Sequence, residues 1–170
     1  MKAVAIVGTV SQVGKSLLVT ALCRLLFRQG WRVTPFKAQS LATTSYITVS
    51  GIEIDYAQAV QAWAAGTVPR AEMNPVVLKP QDSQHVEVIF KGKSIGVCSL
   101  EDYTKRYTEQ SWQVVTLALQ QLAEEFDIVV CEGLGNPVET ALQPWDVSNM
   151  RVAKYLGAPT VLVVSADRGG

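Results

Sequence analysis

The chain has 170 residues, and its 15 lysines and arginines balance its 15 aspartates and glutamates, so the formal net charge is zero. Charged residues make up 18% and hydrophobic residues 48% of the sequence, a composition typical of a folded domain and unlike a disordered segment. A general nucleic-acid binder needs a positive excess, and a membrane span needs about 20 consecutive apolar residues. The sequence has neither feature, so we expect no nucleic-acid or membrane partner.

Cysteine and histidine usage limits the kinds of site that the chain can form. Cys23, Cys98 and Cys131 are far apart, and His85 is the only histidine. This spacing fits neither a disulfide framework nor a zinc site. Cys23 and Cys131 lie inside apolar segments and are predicted to be core thiols. Unpaired thiols are typical of a reducing compartment, so we expect a cytoplasmic location.

Apolar runs of strand length alternate with helical periodicity, which predicts an α/β domain with a mostly parallel sheet. The first half should contain two strands and two helices, separated by a polar segment that we interpret as a functional loop. In chain order these are a strand at 3–7, a helix at 14–30, a strand at 31–36, the polar loop at 40–51 and a helix at 53–65.

The second half should contain four strands and two helices, and nothing in it indicates a linker or a repeat. In chain order these are strands at 76–78 and 86–90 with a turn at 91–93, a helix capped by Ser111, a strand at 126–131, a short helix capped by Ser148 and ending at Gly157, and a buried strand at 160–164. Residues 1–170 are therefore predicted to form one domain.

The strongest functional signal is a glycine-rich segment between the first strand and the first helix. It reads Gly8-Thr9-Val10-Ser11-Gln12-Val13-Gly14-Lys15-Ser16. Glycines let backbone amides turn toward a phosphate, and the helix N-terminus adds a partial positive charge. In such a loop the lysine reaches the β and γ phosphates and the serine hydroxyl holds Mg²⁺. The alternative is a glycine-rich turn that only caps the helix.

Two further residues lie where predicted strands end. Glu132 follows the strand at 126–131, at the sheet edge beside the phosphate loop if the two strands are neighbours. Lys37 ends the second strand, where a cation could neutralise a transferring phosphoryl group. We expect Glu132 to lie near the metal and Lys37 near the phosphates. The alternatives are a solvated loop carboxylate and an exposed lysine.

Together these residues resemble the amino-terminal ATP-binding domain of the cobyric acid synthase family, in the dethiobiotin-synthetase-like branch of P-loop proteins. The similarity extends over almost the whole chain. It includes the phosphate loop and segments 35–39, 45–48, 57–62, 73–75, 78–80, 132–133, 149–150 and 167–170. The resemblance implies a three-layer, Rossmann-like P-loop NTPase domain. It also implies that the last elements of the domain and the family's glutaminase domain are absent.

The resemblance further implies ATP-dependent amide formation. A corrinoid carboxylate attacks the γ-phosphate, and ammonia, from solution or from a separate glutaminase, displaces phosphate from the acyl phosphate. The catalytic residues that it implies are Lys15, Lys37 and Glu132. The residues implied to bind Mg²⁺ are Ser16, Glu53 and Glu132. The residues implied to bind ATP are Gly8, Thr9, Ser11, Gln12, Val13, Gly14, Lys15, Ser16 and Leu17. Those on the substrate side are Gln39, Tyr46, Gln58, Lys79, Gln84, Asp146 and Asp167. A homodimer is common in this branch.

The chain departs from the family pattern at several positions in the substrate loops. Ser40, Thr44 and Ala141 replace amide side chains, and Ser165 replaces a carboxylate. A hydroxyl replaces only part of the hydrogen bonding of an amide. Two alternatives therefore stay open beside the synthetase domain. One is a nucleotide-binding module without catalysis. The other is a different ligase or a partitioning-type ATPase, although the additional early loop lysine of the latter is absent.

Overall fold

A computed structural model describes residues 1–42, 44–135 and 146–166, and these residues combine strands and helices in an α/β architecture. The strands are β1 (Lys2–Gly8), β2 (Val33–Phe36), β3 (Gln39–Leu41), β4 (Ser45–Ile47), β5 (Glu53–Asp55), β6 (Val76–Pro80), β7 (His85–Phe90), β8 (Lys93–Ser99), β9 (Ile128–Glu132) and β10 (Thr160–Val163). The helices are α1 (Lys15–Arg28), α2 (Tyr56–Ala64), α3 (Leu100–Asp102), α4 (Thr108–Glu125) and α5 (Met150–Leu156). None of these helices is both long and apolar enough to cross a bilayer.

The main sheet has the order β10-β1-β9-β2, and all of its neighbouring strands are parallel. The continuous apolar runs of β1 and β9 suit central strands that are covered on both faces. Ile6 pairs with Glu132, and the Gly133 amide donates to the Ile6 carbonyl at 2.8 Å. The residues that follow β1 and β9 therefore lie next to each other, at the carboxyl ends of these two parallel strands.

The two faces of this sheet pack against different helices, which gives the three layers. Side chains alternate along β1 and β9, so neighbouring residues enter opposite cores. On one face lie Ile6, Ile128 and Val130 with Val19 and Cys23 of α1. On the other lie Ala5, Val129 and Cys131 with Val115, Leu119 and Leu122 of α4 and Val152 of α5. The core position predicted for Cys23 and Cys131 is confirmed, and burial raises the pKa of both thiols to about 12.

A second sheet, of order β3-β6-β7-β8, is parallel only between β3 and β6. The turn predicted at 91–93 leads into β8, which the sequence patterns did not indicate. The segment 40–51, predicted to be a loop, contains the end of β3 and the whole of β4. The pairing of β4 with β5 accounts for this difference, since Tyr46 and Ile47 favour strands although the residues around them are polar.

Helix starts were the least accurate predictions. The helix predicted from residue 53 begins at Tyr56, because 53–55 forms β5 and the Asp55 carboxylate accepts the Ala57 amide at 3.1 Å. Ser111 is not a cap. It lies buried inside α4, which follows a π-helical segment (Tyr103–Tyr107), and its hydroxyl is 2.9 Å from the Tyr103 hydroxyl.

The N-terminus of α5 also differs from its prediction. Asn149, not Ser148, is the residue before the helix. The Asp146 carboxylate holds this turn, since it accepts the amides of Ser148, Asn149 and Met150 at 2.7–3.0 Å. A carboxylate suits this position because it also interacts favourably with the positive end of the helix.

The last predicted strand forms, but the prediction that it is buried is wrong. In β10, Val161 is 43% and Leu162 is 51% exposed. Within the described ranges β10 is an edge strand that pairs with β1 alone, so one side of it has no neighbouring strand. An apolar run in the sequence indicates a parallel strand without indicating how much of it is covered.

Leu117 and Leu119 of α4 test which face of the helix is buried. Leu119 is 2% and Leu117 is 57% exposed. We expect Leu119→Ala to lower the free energy of unfolding by about 2–5 kcal/mol, because it leaves a cavity in the core. The matched Leu117→Ala should change it by less than about 0.5 kcal/mol. Urea denaturation followed by circular dichroism measures both values, and equal losses would contradict the assigned face.

Candidate functional site

The loop between β1 and α1 has the geometry of an anion site. Gln12 (φ 63°) and Gly14 (φ 107°) adopt left-handed conformations, and no side chain caps α1. The first amides of the helix are therefore available to a bound group, and they carry the positive end of the helix dipole. A Cβ at Gly8 would lie 2.5 Å from Val13 Cγ1 and 3.0 Å from the Lys15 side chain, so a larger residue here would displace side chains of the loop.

A cavity of about 400 Å³ opens above this loop, a volume within the range of small-ligand sites. The loop, the residues after β2 and the residues after β9 all contribute to it. It is lined by Ser11, Gln12, Gly14, Lys15, Ser16, Leu17, Lys37, Leu41, Glu132, Gly133, Leu134 and Gly135. Six of the predicted ATP-binding residues and both strand-end residues, Lys37 and Glu132, therefore share one cavity.

Ser16 and Glu132 meet at the base of the cavity. The Ser16 hydroxyl donates to Glu132 Oε1 at 2.8 Å, and Glu132 is only 3% exposed. Adjacent hydroxyl and carboxylate oxygens are ligands that Mg²⁺ prefers, so the donor set fits this ion. Among the described residues, no group of three or more acidic, histidine or cysteine side chains is arranged so that it could hold a metal ion by itself. Mg²⁺ bound here would therefore complete its coordination with water and phosphate oxygens, as is common for this ion.

Two lysines face the same carboxylate region. The Lys37 ammonium is 3.1 Å from Asp55 Oδ2 and 3.4 Å from Glu132 Oε1. Burial lowers the pKa of Lys37, but the attraction of Glu132 and Asp55 outweighs it, so the pKa lies above its usual value. The Lys15 ammonium donates to the Val10 carbonyl at 3.0 Å, and burial lowers its pKa although Glu132 opposes the shift.

A buried asparagine that the sequence analysis did not assign holds this region together. Asn74 donates from Nδ2 to the Lys37 carbonyl, and its Oδ1 accepts from the Ser40 hydroxyl and the Asp55 amide, all at 3.0 Å. These bonds connect the residue after β2 to strands β3 and β5. Asn74 therefore fixes the backbone on which Lys37 and Asp55 are mounted.

The structure places several predicted site residues outside the cavity lining. Glu53 accepts from Lys79 at 2.8 Å, and the Tyr46 ring packs edge-on against Trp63 with centroids 5.2 Å apart. Gln58 is fully buried. The metal role of Glu53 and the substrate roles of Lys79, Tyr46 and Gln58 stay predictions.

The other predicted substrate residues have separate surroundings. Gln39 accepts from the Tyr103 hydroxyl at 2.6 Å, which leaves the amide group of Gln39 as a donor. Gln84 is exposed beside the start of β7, and Asp146 is occupied by the turn before α5. Their substrate roles also stay predictions.

The positions at which the chain departs from the family pattern also have surroundings that differ from one another. Ser40 keeps a buried polar contact through Asn74, and the Thr44 carbonyl accepts the Tyr56 amide at 3.3 Å. Ala141 and the predicted substrate residue Asp167 lie outside the described residues.

Comparison with known proteins agrees with the geometry of the loop. Residues 4–164 match the model of the CobQ/CobB/MinD/ParA nucleotide binding domain. Over all 170 residues the chain is 58% identical to a cobyric acid synthase of Nostoc punctiforme and 57% identical to one of Microcystis aeruginosa. It spans about a third of the length of these relatives, 34% and 35%. The chain therefore belongs to the CobQ/CobB/MinD/ParA family of nucleotide-binding domains.

Proposed function

We propose that the chain binds ATP with Mg²⁺ and uses it to activate a corrinoid carboxylate for amide formation. The observation that carries this proposal is the 2.8 Å contact between Ser16 and Glu132 beside an uncapped helix N-terminus. The family match supports nucleotide binding. The relatives named cobyric acid synthase support the ligase reaction and the corrinoid class of substrate.

The phosphates of ATP would lie across the N-terminus of α1. Lys15 now donates to a carbonyl of its own loop, and a phosphate oxygen would replace that acceptor with a stronger, charge-assisted one. Lys37 faces the same cavity from the end of β2. Negative charge spreads over the γ-phosphoryl oxygens during in-line transfer, so two ammonium groups here would stabilise the transition state.

The charge of the site explains why a divalent cation should enter with the nucleotide. Counted with the charges that lysine and carboxylate side chains ordinarily carry at neutral pH, Lys15 and Lys37 contribute two positive charges and Asp55 and Glu132 two negative charges, so the four groups sum to zero. Free ATP would bring several further negative charges close to two carboxylates, which is unfavourable at low dielectric. Bound Mg²⁺ would neutralise charge on the phosphates, and Ser16 and Glu132 would hold it.

Phosphoryl transfer from the bound ATP depends mainly on how the protein positions the reactants, and it needs little covalent chemistry from protein groups. A corrinoid carboxylate entering the open side of the cavity would attack the γ-phosphate, break its bond to the β,γ-bridging oxygen and release ADP, which leaves an acyl phosphate. Ammonia would then displace phosphate and form the amide. The chain's own groups would orient the triphosphate and stabilise its charge. Residues 1–170 would thus serve as the ATP-binding synthetase domain, and the ammonia would come from outside these residues.

Substituting Lys15 tests phosphate binding directly. We expect Lys15→Ala to weaken ATP binding in the presence of Mg²⁺ by about tenfold or more, because a charge-assisted hydrogen bond contributes about 1.5–3 kcal/mol. Isothermal titration calorimetry measures the affinity. The control is Lys105→Ala, which removes an exposed lysine paired with Glu101. Equal affinities in the two variants would contradict the assigned role of the loop.

Asp55→Asn tests the charge balance. Asparagine still caps a helix, so α2 should stay intact while one negative charge is lost from the site. We expect metal-free ATP to bind more tightly by on the order of 1 kcal/mol, at an effective dielectric constant of about 20. Titration with ATP in EDTA measures this change. Asp55→Ala is the companion variant, since it also removes the charge but costs about 0.5–2 kcal/mol of stability through the lost cap. Weaker metal-free binding by Asp55→Asn would refute the charge argument.

The ligase reaction is tested by the dependence of ATP turnover on both co-substrates. With radiolabelled ATP and Mg²⁺, we expect phosphate release only when cobyrinic acid diamide and ammonia are both present. Release without the corrinoid would indicate a switch-type ATPase, and no release under any condition would indicate a nucleotide-binding module without catalysis. Either result would contradict the ligase proposal.

A further inference from the structure

Glu132 has a second buried partner that phosphate binding does not explain. Gln61 Nε2 donates to Glu132 Oε2 at 2.5 Å, while the Ser16 hydroxyl donates to Oε1. Gln61 lies on α2 and is fully buried. The two carboxylate oxygens therefore have different partners. Oε2 accepts the hydrogen bond from the buried Gln61, and Oε1 faces Ser16 and Lys37.

Gln61 is in turn held by Gln58, one helical turn earlier. Gln58 Nε2 donates to Gln61 Oε1, and Gln58 is also fully buried. A carboxylate only accepts hydrogen bonds, so Gln61 must turn its NH₂ toward Glu132 and its carbonyl toward Gln58. Gln58 must then donate as well. The orientation of both amides is therefore dictated by the charge on Glu132.

The series of hydrogen bonds from Glu132 through Gln61 ends at Gln58, whose side-chain oxygen has no hydrogen-bond partner among the described residues. Gln58 Oε1 is buried and accepts no hydrogen bond within the described part of the chain. Leaving such an acceptor unpaired costs about 1–3 kcal/mol, whereas a pair of apolar side chains of similar shape would avoid the cost. The two glutamines are therefore a poor choice for packing alone, and their common feature is the donor that they present to Glu132.

We propose that Gln61, supported by Gln58, is a positioning residue that keeps Glu132 Oε1 directed at Ser16 and at the divalent cation. This inference rests on the proposed function, in which Ser16 and Glu132 hold Mg²⁺. Without the Gln61 donor, the carboxylate is free to rotate toward Lys37, whose ammonium is already 3.4 Å away. Partners of this kind commonly contribute tenfold to a hundredfold to metal affinity.

The experiment measures cation binding and nucleotide binding separately on the full chain. Mn²⁺ is the probe, and its free concentration is followed by electron paramagnetic resonance in the presence of a non-hydrolysable ATP analogue. We expect Gln61→Leu to raise the Mn²⁺ dissociation constant by about tenfold or more. The affinity for the same analogue in EDTA should stay unchanged, because Gln61 does not line the phosphate cavity. Gln61→Met, which is similar in length, uncharged and lacks the donor, should show the same separation if the leucine variant fails to fold.

Ala62→Gly is the matched control. It weakens the same helix at a buried neighbouring position and touches neither the amide nor the carboxylate of the contact. An unchanged Mn²⁺ affinity in a folded Gln61 variant, or a loss that Ala62→Gly shares, would overturn the positioning role and leave the proposed function standing. A wild-type chain that binds no Mn²⁺ beside the nucleotide analogue would overturn both.

Discussion

The candidate site depends on one buried carboxylate at the end of a central strand. Glu132 receives the Ser16 hydroxyl from the phosphate loop, the Lys37 ammonium from the end of β2 and the Gln61 amide from α2. An ionised group with so little exposure is stable only when donors and opposite charges surround it. The same contacts that stabilise the charge also bring three separate elements to one point, so the geometry of the site and the stability of its surroundings are linked.

This linkage gives the fold a direct role in the chemistry. Because β1 and β9 are parallel neighbours, the loop after β1 and the residue after the core of β9 emerge at the same edge. Apolar packing on both faces of the sheet then holds that edge rigid. The helix N-terminus, Lys37 and the carboxylate are thus held in place by the fold itself, and in the proposed function Lys15 would only exchange the Val10 carbonyl for a phosphate oxygen.

Local sequence was sufficient for the parts of the site that follow from strand ends. Lys15 and Ser16 belong to a motif with a fixed spacing, and Glu132 and Lys37 end apolar strands, so their shared cavity could be predicted. The contact between Lys37 and Asp55 could not, because the two residues are 18 positions apart and meet only through the packing of β5 beside the end of β2. Gln61 was missed for a related reason, since its partner lies 71 residues away and a glutamine in a helix usually indicates a solvated face. The exposure of β10 likewise depends on its place in the sheet beside β1, which is distant in sequence. Strand β8 was missed for a different reason, since it pairs with β7 across a short turn but is largely exposed and has no continuous apolar run.

The central claim is that Ser16 and Glu132 form the cation end of a nucleotide site. It is tested most directly by the effect of Mg²⁺ on ATP affinity in the wild-type chain and in Glu132→Gln, a substitution that keeps the size of the side chain and removes its charge. The account predicts that Mg²⁺ strengthens ATP binding to the wild-type chain and that this gain is lost in Glu132→Gln. The same gain in both proteins would contradict it.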